Sequence, residues 1–214
     1  MKKGDLIWAL VLAAIAAFMI VPVTNAVFMA ATTAHPYIGG FFKFAVLATM
    51  GELLAIRIVR GQWHKPSGIL WRALIWGFLG IVITLMFQIF AAGVTAAISS
   101  GYLPGQENKL AFAFQVSAIM NLTFAPTFMA FHRFTDTWID LKYETKRKPT
   151  VTEIVHKIDW NGFVKFVMIK TLPLFWIPAH TITFMLPPEY RVLMAAFLSI
   201  ALGAILSFAK KKSA

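Results

Sequence analysis

The stretch from Trp160 to Arg191, WNGFVKFVMIKTLPLFWIPAHTITFMLPPEYR, restricts the fold more than any other part of this chain. It is apolar enough to cross a bilayer. It also carries Lys165, Lys170 and His180, with Pro173 and Pro178 in its interior. A lone cation at the centre of a membrane helix is unfavourable by roughly 2.5–3.5 kcal/mol on insertion scales. Such a segment survives only where other helices, or water held between them, surround it. The expectation is a polytopic membrane protein with a polar interior.

The rest of the chain agrees. Of 214 residues, 59% are hydrophobic and only 14% are charged, outside the usage of soluble globular domains. The length suits one domain, residues 1–214. There is no cysteine, so thiol catalysis and Cys-based metal sites are excluded. No alternating ten-residue strand pattern recurs, which argues against a β-barrel. The net charge of +11 is read as topology and anionic-lipid attraction rather than nucleic-acid binding.

The hydrophobic runs predict an all-α integral membrane helix bundle of about six transmembrane helices. The first runs from about Leu6 to Ala31. Its basic start and apolar run also describe a signal peptide, so a retained helix and a cleaved leader both stand. The second runs from about Phe41 to Ile58 and holds Glu52, the one carboxylate placed inside the membrane. Ala45, Ala48, Glu52 and Ala55 share a small-residue face suited to close helix contact.

The third runs from about Gly68 to Ser99, longer than the roughly 20 residues that span a bilayer. Gly77, Gly80, Thr84, Gln88, Thr95 and Ser99 mark a small and polar stripe along it. The fourth runs from about Lys109 to His132, with Ser117, Asn121 and Pro126. Residues 133–159 read as a cytoplasmic basic loop. Within it, Thr150 and Glu153 have the spacing of a capping box. Val151, Ile154, Val155 and Ile158 give an apolar face, so a short interfacial helix is expected before the fifth span. The fifth is the opening stretch, in which Pro173 and Pro178 are expected to kink the helix. The sixth runs from about Arg191 to Phe208.

Six spans place fifteen of the 20 Lys and Arg residues on one side. Lys43, Lys109 and Arg191 fall on the other, and Lys165 and Lys170 lie within the fifth span. Basic loops face the cytoplasm, so both termini are expected there, in the plasma membrane if the chain is prokaryotic.

Several short motifs occur in order: Ala34-His35-Pro36, Gly51-Glu52, Met120-Asn121 before Phe124-Ala125-Pro126, Ile169-Lys170 with Pro173, Pro187 to Arg191, and Leu206-Ser207-Phe208. In these the chain resembles the 22-kDa peroxisomal membrane protein family, whose relatives include mitochondrial inner-membrane proteins implicated in pore formation and mitochondrial DNA maintenance. The pattern departs from the family at Leu202-Gly203, where members have Trp-Asn, and at Asn121, where members have an Asp-Gln pair. The resemblance covers residues 34–208. It implies a divergent member, prokaryotic in type, with a helix added at residues 1–33. It also implies a membrane helix bundle with a proposed channel role.

The candidate polar-interior residues are Glu52, Thr84, Gln88, Asn121, Lys170 and His180. Glu52 and Lys170 lie at comparable depths and could meet, as a neutralising pair or as a charged constriction; either could instead snorkel to the interface. The polar stripes serve as packing glue or line a hydrated cavity. His132, Asp136 and Asp140 share a helical face that could bind a metal, but a solvated face is preferred and no metal site or other cofactor is assigned. Lys146, Arg147 and Lys148 read as an anionic-lipid contact. Partners are the bilayer and, with nothing against it, a second copy of the chain. No enzyme signature is found, and the lone intramembrane carboxylate has no acid partner. The expected function is a channel or transport-like protein for small polar or ionic solutes. The alternative is a non-transporting structural or assembly protein.

Overall fold

The computed structural model describes the backbone of residues 2–212 and their side chains except those of residues 206 and 208–212. Lys210 to Lys212 and the flanks of the Leu206-Ser207-Phe208 motif therefore lie outside the described side chains. No strand occurs among the described residues. The helices are α1 (Lys3–Ile20), α2 (Pro22–Ala34), α3 (Pro36–Arg60), α4 (Ile69–Ser99), α5 (Lys109–Thr123) and α6 (Ala125–Thr145). They continue as α7 (Val151–Lys157), the single turn α8 (Trp160–Gly162), a π-helix (Phe163–Trp176), α9 (Ile177–Met185) and α10 (Pro188–Lys212).

Prolines set several boundaries that hydropathy alone misses. The first apolar run is two helices, because Pro22 steers Val21 out of the helical region, to φ −66° and ψ 124°. The fourth run is also two helices, α5 and α6, inclined by 48° across Phe124. Pro126 stands in the first turn of α6. Helix α6 then continues to Thr145, so most of the expected 133–159 loop is helical. Ile139 is wholly buried and Thr137 nearly so, which shows why: the polar stretch keeps an inward face. The turn out of α6 is made by Lys146, left-handed at φ 56°.

Helix α7 begins as its capping box predicts. The Thr150 hydroxyl accepts from the Glu153 amide at 3.3 Å, and Glu153 accepts from the Thr150 amide at 2.8 Å. Ile154 and Ile158 are buried, while Val151 and Val155 stay exposed. The Arg147 guanidinium and the Thr150 cap hold the Glu153 carboxyl well below the usual carboxylate range, at about 2.

The stretch that carries Lys165, Lys170 and the two prolines is a single helix, Trp160–Met185, of 26 residues. Where a kink is expected the helix winds wide: fourteen residues, Phe163–Trp176, are π-helical around Pro173. The Ile177 amide reaches back five residues to the Leu172 carbonyl, and the Thr171 hydroxyl to Phe166, also five back. A proline ring collides with the carbonyl four residues before it in an α-helix, and a wider turn relieves that collision.

Four helices are long and apolar enough to cross a membrane: Lys3–Ile20, Ile69–Ser99, Trp160–Met185 and Pro188–Ile205. The bent pair α5 and α6 makes a fifth if it counts as one span. Helix α3, with Lys43, Glu52, Arg57 and Arg60, is not among them, yet it lies at the centre of the bundle. It packs against α4 on one side and α10 on another. Helix α4 runs antiparallel to it: Gly77 meets the Phe41 ring, and a Cβ on Gly80 would strike the Gly40 carbonyl. Helix α10 runs parallel to it: a Cβ on Gly51 would lie 3.1 Å from the Ile200 Cα, and one on Gly203 3.3 Å from the Gly51 oxygen. Small residues bring these backbones together, where dispersion rather than the hydrophobic effect holds membrane helices. Phe44, Leu47, Phe87, Val116, Met120 and Phe184 fill the core.

Helix α1 buries no residue. Its Trp8, Leu12, Ile15 and Met19 are partly buried against the core, and polar contacts tie it to α3 and the loop that follows. Arg57 grips Asp5 with two bonds, 2.7 and 3.0 Å, and Trp63 donates to the same carboxylate at 2.8 Å. One turn further along, Trp8 donates to the Met50 carbonyl at 3.0 Å.

Candidate functional site

A partly open cavity of about 330 Å³ lies within the bundle. Its walls come from α3, α4, α5, α6, the π-helix, α9 and α10, and most of the lining is apolar. Ala48, Glu52 and Ala55, on the small-residue face read from the sequence, contribute one wall. Trp76 and Phe87 both line it. They are eleven residues apart on α4, or about 16 Å at 1.5 Å per residue.

One end of the cavity is ionic. Arg72, in the first turn of α4, is only 7% exposed. Its Nη1 lies 3.1 Å from Glu52 of α3 and 3.1 Å from Asp136 of α6, and its Nη2 pairs with Asp140. Its Nε donates to the Ser67 carbonyl at 3.2 Å. Three carboxylates from two helices thus converge on one guanidinium, whose planar fork suits several acceptors at once. Beside them the His132 ring packs on Trp76, with centroids 4.2 Å apart.

The other end is polar but uncharged. Asn121, 1% exposed, donates to the Ser117 carbonyl at 2.8 Å and lies 3.1 Å from Nδ1 of His180. An amide nitrogen only donates, so Nδ1 accepts and the ring proton sits on Nε2. The His180 ring stacks on Trp176 at 5.0 Å and meets Phe87 edge-on at 5.6 Å. The Ser117 hydroxyl donates to the Ile177 carbonyl at 2.7 Å, which ties α5 to the start of α9. Residue Pro178 has no amide hydrogen, and Ile177 lies in the transition out of the π-helix.

Compared with models of protein families, with curated proteins and with solved structures, the chain gives no match.

The structure sorts the sequence candidates into two groups. Glu52, Asn121 and His180 line the cavity. Thr84, Gln88 and Lys170 do not. Thr84 is buried, and its hydroxyl is bonded to the Gly80 carbonyl at 2.8 Å. Gln88, Thr95 and Ser99 are exposed because the packed face of α4 shifts, beyond Thr84, to Phe87, Ala91, Val94 and Ile98. Lys170 is exposed on the π-helix, as is Lys165. The expected Glu52–Lys170 pair is therefore corrected: the cation beside Glu52 is Arg72. Pro173 lies inside the π-helix and Pro178 in the first turn of α9. Lys146, Arg147 and Lys148 are exposed, and Arg147 pairs with Glu153. No cluster of His, Asp and Glu suited to a metal occurs among the described residues.

Arg72 is the residue that sequence reasoning misses. By charge alone it falls among the loop cations of the basic side. Asp136 and Asp140, four residues apart, read as a solvated face. A signal is present all the same: an i, i+4 acidic pair on one amphipathic stretch, and an arginine one turn inside a long apolar helix.

Proposed function

We propose that this chain is a multi-pass membrane transport protein that binds a small solute inside its helix bundle. The observation that carries the reading is the cavity, walled by apolar side chains between the Arg72 ion cluster and the Asn121–His180 pair. An apolar wall cannot replace the hydration shell of a free ion. The solute is accordingly a small amphipathic molecule rather than a hydrated ion, which narrows the expectation from sequence. The channel role implied by the family resemblance points the same way and carries none of the weight.

In this reading α3 is a sixth span, shielded from lipid by its neighbours. Both termini face the cytoplasm, following the excess of basic residues on that side. The ion cluster closes the cytoplasmic end. Arg72 ties α3, α4 and α6 together, and α6 meets α5 at the bend across Phe124. Releasing the cluster would free α6 to swing at that bend and open the cavity. Lys146, Arg147 and Lys148 attract anionic lipid at the same face.

A second reading is a scaffold in which the same groups only pack the bundle. The close backbone contacts at Gly51 and Gly80 favour it. Cysteine accessibility separates the two, since the chain has no native cysteine. Ser199→Cys places a thiol on the cavity wall. In vesicles of either orientation, a membrane-impermeant methanethiosulfonate should label it from both sides if the cavity opens alternately. A scaffold leaves it unlabelled from both.

A further inference from the structure

Two buried polar atoms of the uncharged end have no hydrogen-bond partner: the indole Nε1 of Trp176 and the amide Oδ1 of Asn121. Both residues line the cavity. One is a donor only and the other an acceptor only. The Asn121 amide cannot be turned over to satisfy itself, because its nitrogen is held by the Ser117 carbonyl and by His180. Both residues touch the His180 ring: Trp176 stacks on its face, and the Asn121 amide nitrogen bonds to its Nδ1. A buried polar atom left unpaired is unfavourable, and a partner that supplies both an acceptor and a donor relieves the two together.

From this we infer that the cavity recognises a small, flat, uncharged molecule bearing a carboxamide-type group on an aromatic or aliphatic body. This rests on the cavity reading given above. The ligand carbonyl accepts from Trp176 Nε1, and its N–H donates to Asn121 Oδ1. Its apolar body lies toward Phe44, Phe87 and Phe128, which line the same space. A carboxylate fits poorly here. It has no N–H for Asn121 Oδ1, and no cation lies at this end of the cavity.

The test uses the full chain in detergent and three ring compounds of similar size. Benzamide offers both a donor and an acceptor, acetophenone only an acceptor, and toluene neither. Affinities are read by saturation-transfer NMR, with Ser199→Phe, which puts a ring on the cavity wall, as the background. Benzamide should bind about tenfold more tightly than toluene, with acetophenone between them. Trp176→Phe keeps the ring beside His180 and removes only the N–H. It should remove several-fold of the affinity for benzamide and acetophenone and leave toluene unchanged. If that variant does not fold, the order of the three compounds on the unaltered protein still decides. Equal binding of all three above the background overturns the carboxamide inference while the cavity reading stands. No binding above the background in any of them overturns both.

Discussion

Two helices of this protein carry charge inside an apolar run, and they handle it in opposite ways. Helix α3 turns Glu52 inward, beside the buried Arg72, in a cluster completed from α6. The Trp160–Met185 helix turns Lys165 and Lys170 outward, where both are exposed. By sequence the Trp160–Met185 helix is the more demanding of the two, because its two lysines stand beside two interior prolines. In the structure the less conspicuous helix is the one surrounded. The difference lies in reach. A lysine has a long flexible stem and can snorkel its ammonium toward the interface. A glutamate has a shorter stem, so it is held where a partner comes to it.

The largest effect is expected at Arg72. Arg72→Met leaves Glu52, Asp136 and Asp140 without their cation and should cost about 3–5 kcal/mol, the usual penalty for stranding partly buried charges. Unfolding of the detergent-solubilised protein by heat or SDS would read it. A loss below about 1 kcal/mol would mean that the cluster is solvated like an ordinary surface pair. Arg72→Lys should recover only part of the loss, because an ammonium lacks the fork.

A smaller effect is expected at the helix crossings. Gly80→Ala drives a methyl into the Gly40 carbonyl and should cost about 1–3 kcal/mol. Gly93, on the same helix, has open space around it. Gly93→Ala should be neutral or stabilising by up to about 1 kcal/mol. Equal effects at the two sites would contradict the close approach of α3 and α4.

Almost no effect is expected at the exposed lysines of the Trp160–Met185 helix. Lys170→Ala should change stability by no more than about 0.5 kcal/mol in the same unfolding assay. A large loss would show that Lys170 has a partner within the bundle after all.

The smallest effect concerns pH and α7. Glu153 has its carboxyl depressed in the folded state to about 2 by Arg147 and the Thr150 cap. A depressed carboxylate contributes stability that is present above its ordinary value near 4.5 and is lost as pH falls toward 2. Protease access to the 146–157 segment should rise over that window. Glu153→Gln should flatten the profile, whereas Lys157→Gln should leave it unaltered.

Much of the architecture is legible because membrane helices announce themselves by length and hydropathy. The limits of α4 and the capping box of α7 follow directly from Gly68, Thr150 and Glu153. What escapes is set by geometry between segments. Whether Pro22 and Pro126 break a run or merely dent it depends on packing around them. Pro173 sits in a long π-helical winding, a backbone choice that a proline's position in the sequence does not reveal. Partner choice is the least legible feature. Glu52 and Lys170 match in depth, but depth does not fix azimuth, and Lys170 points out of the bundle. Asn121 and His180, by contrast, both read as interior groups, and they are bonded to each other.

The pairing at the centre of this account can be tested by two double-mutant cycles on unfolding free energy. One combines Glu52→Gln with Arg72→Met, and the other combines Glu52→Gln with Lys170→Ala. The structure predicts a coupling above about 1 kcal/mol in the first and less than about 0.5 kcal/mol in the second. The reverse order would place Lys170 beside Glu52 and contradict the arrangement described here.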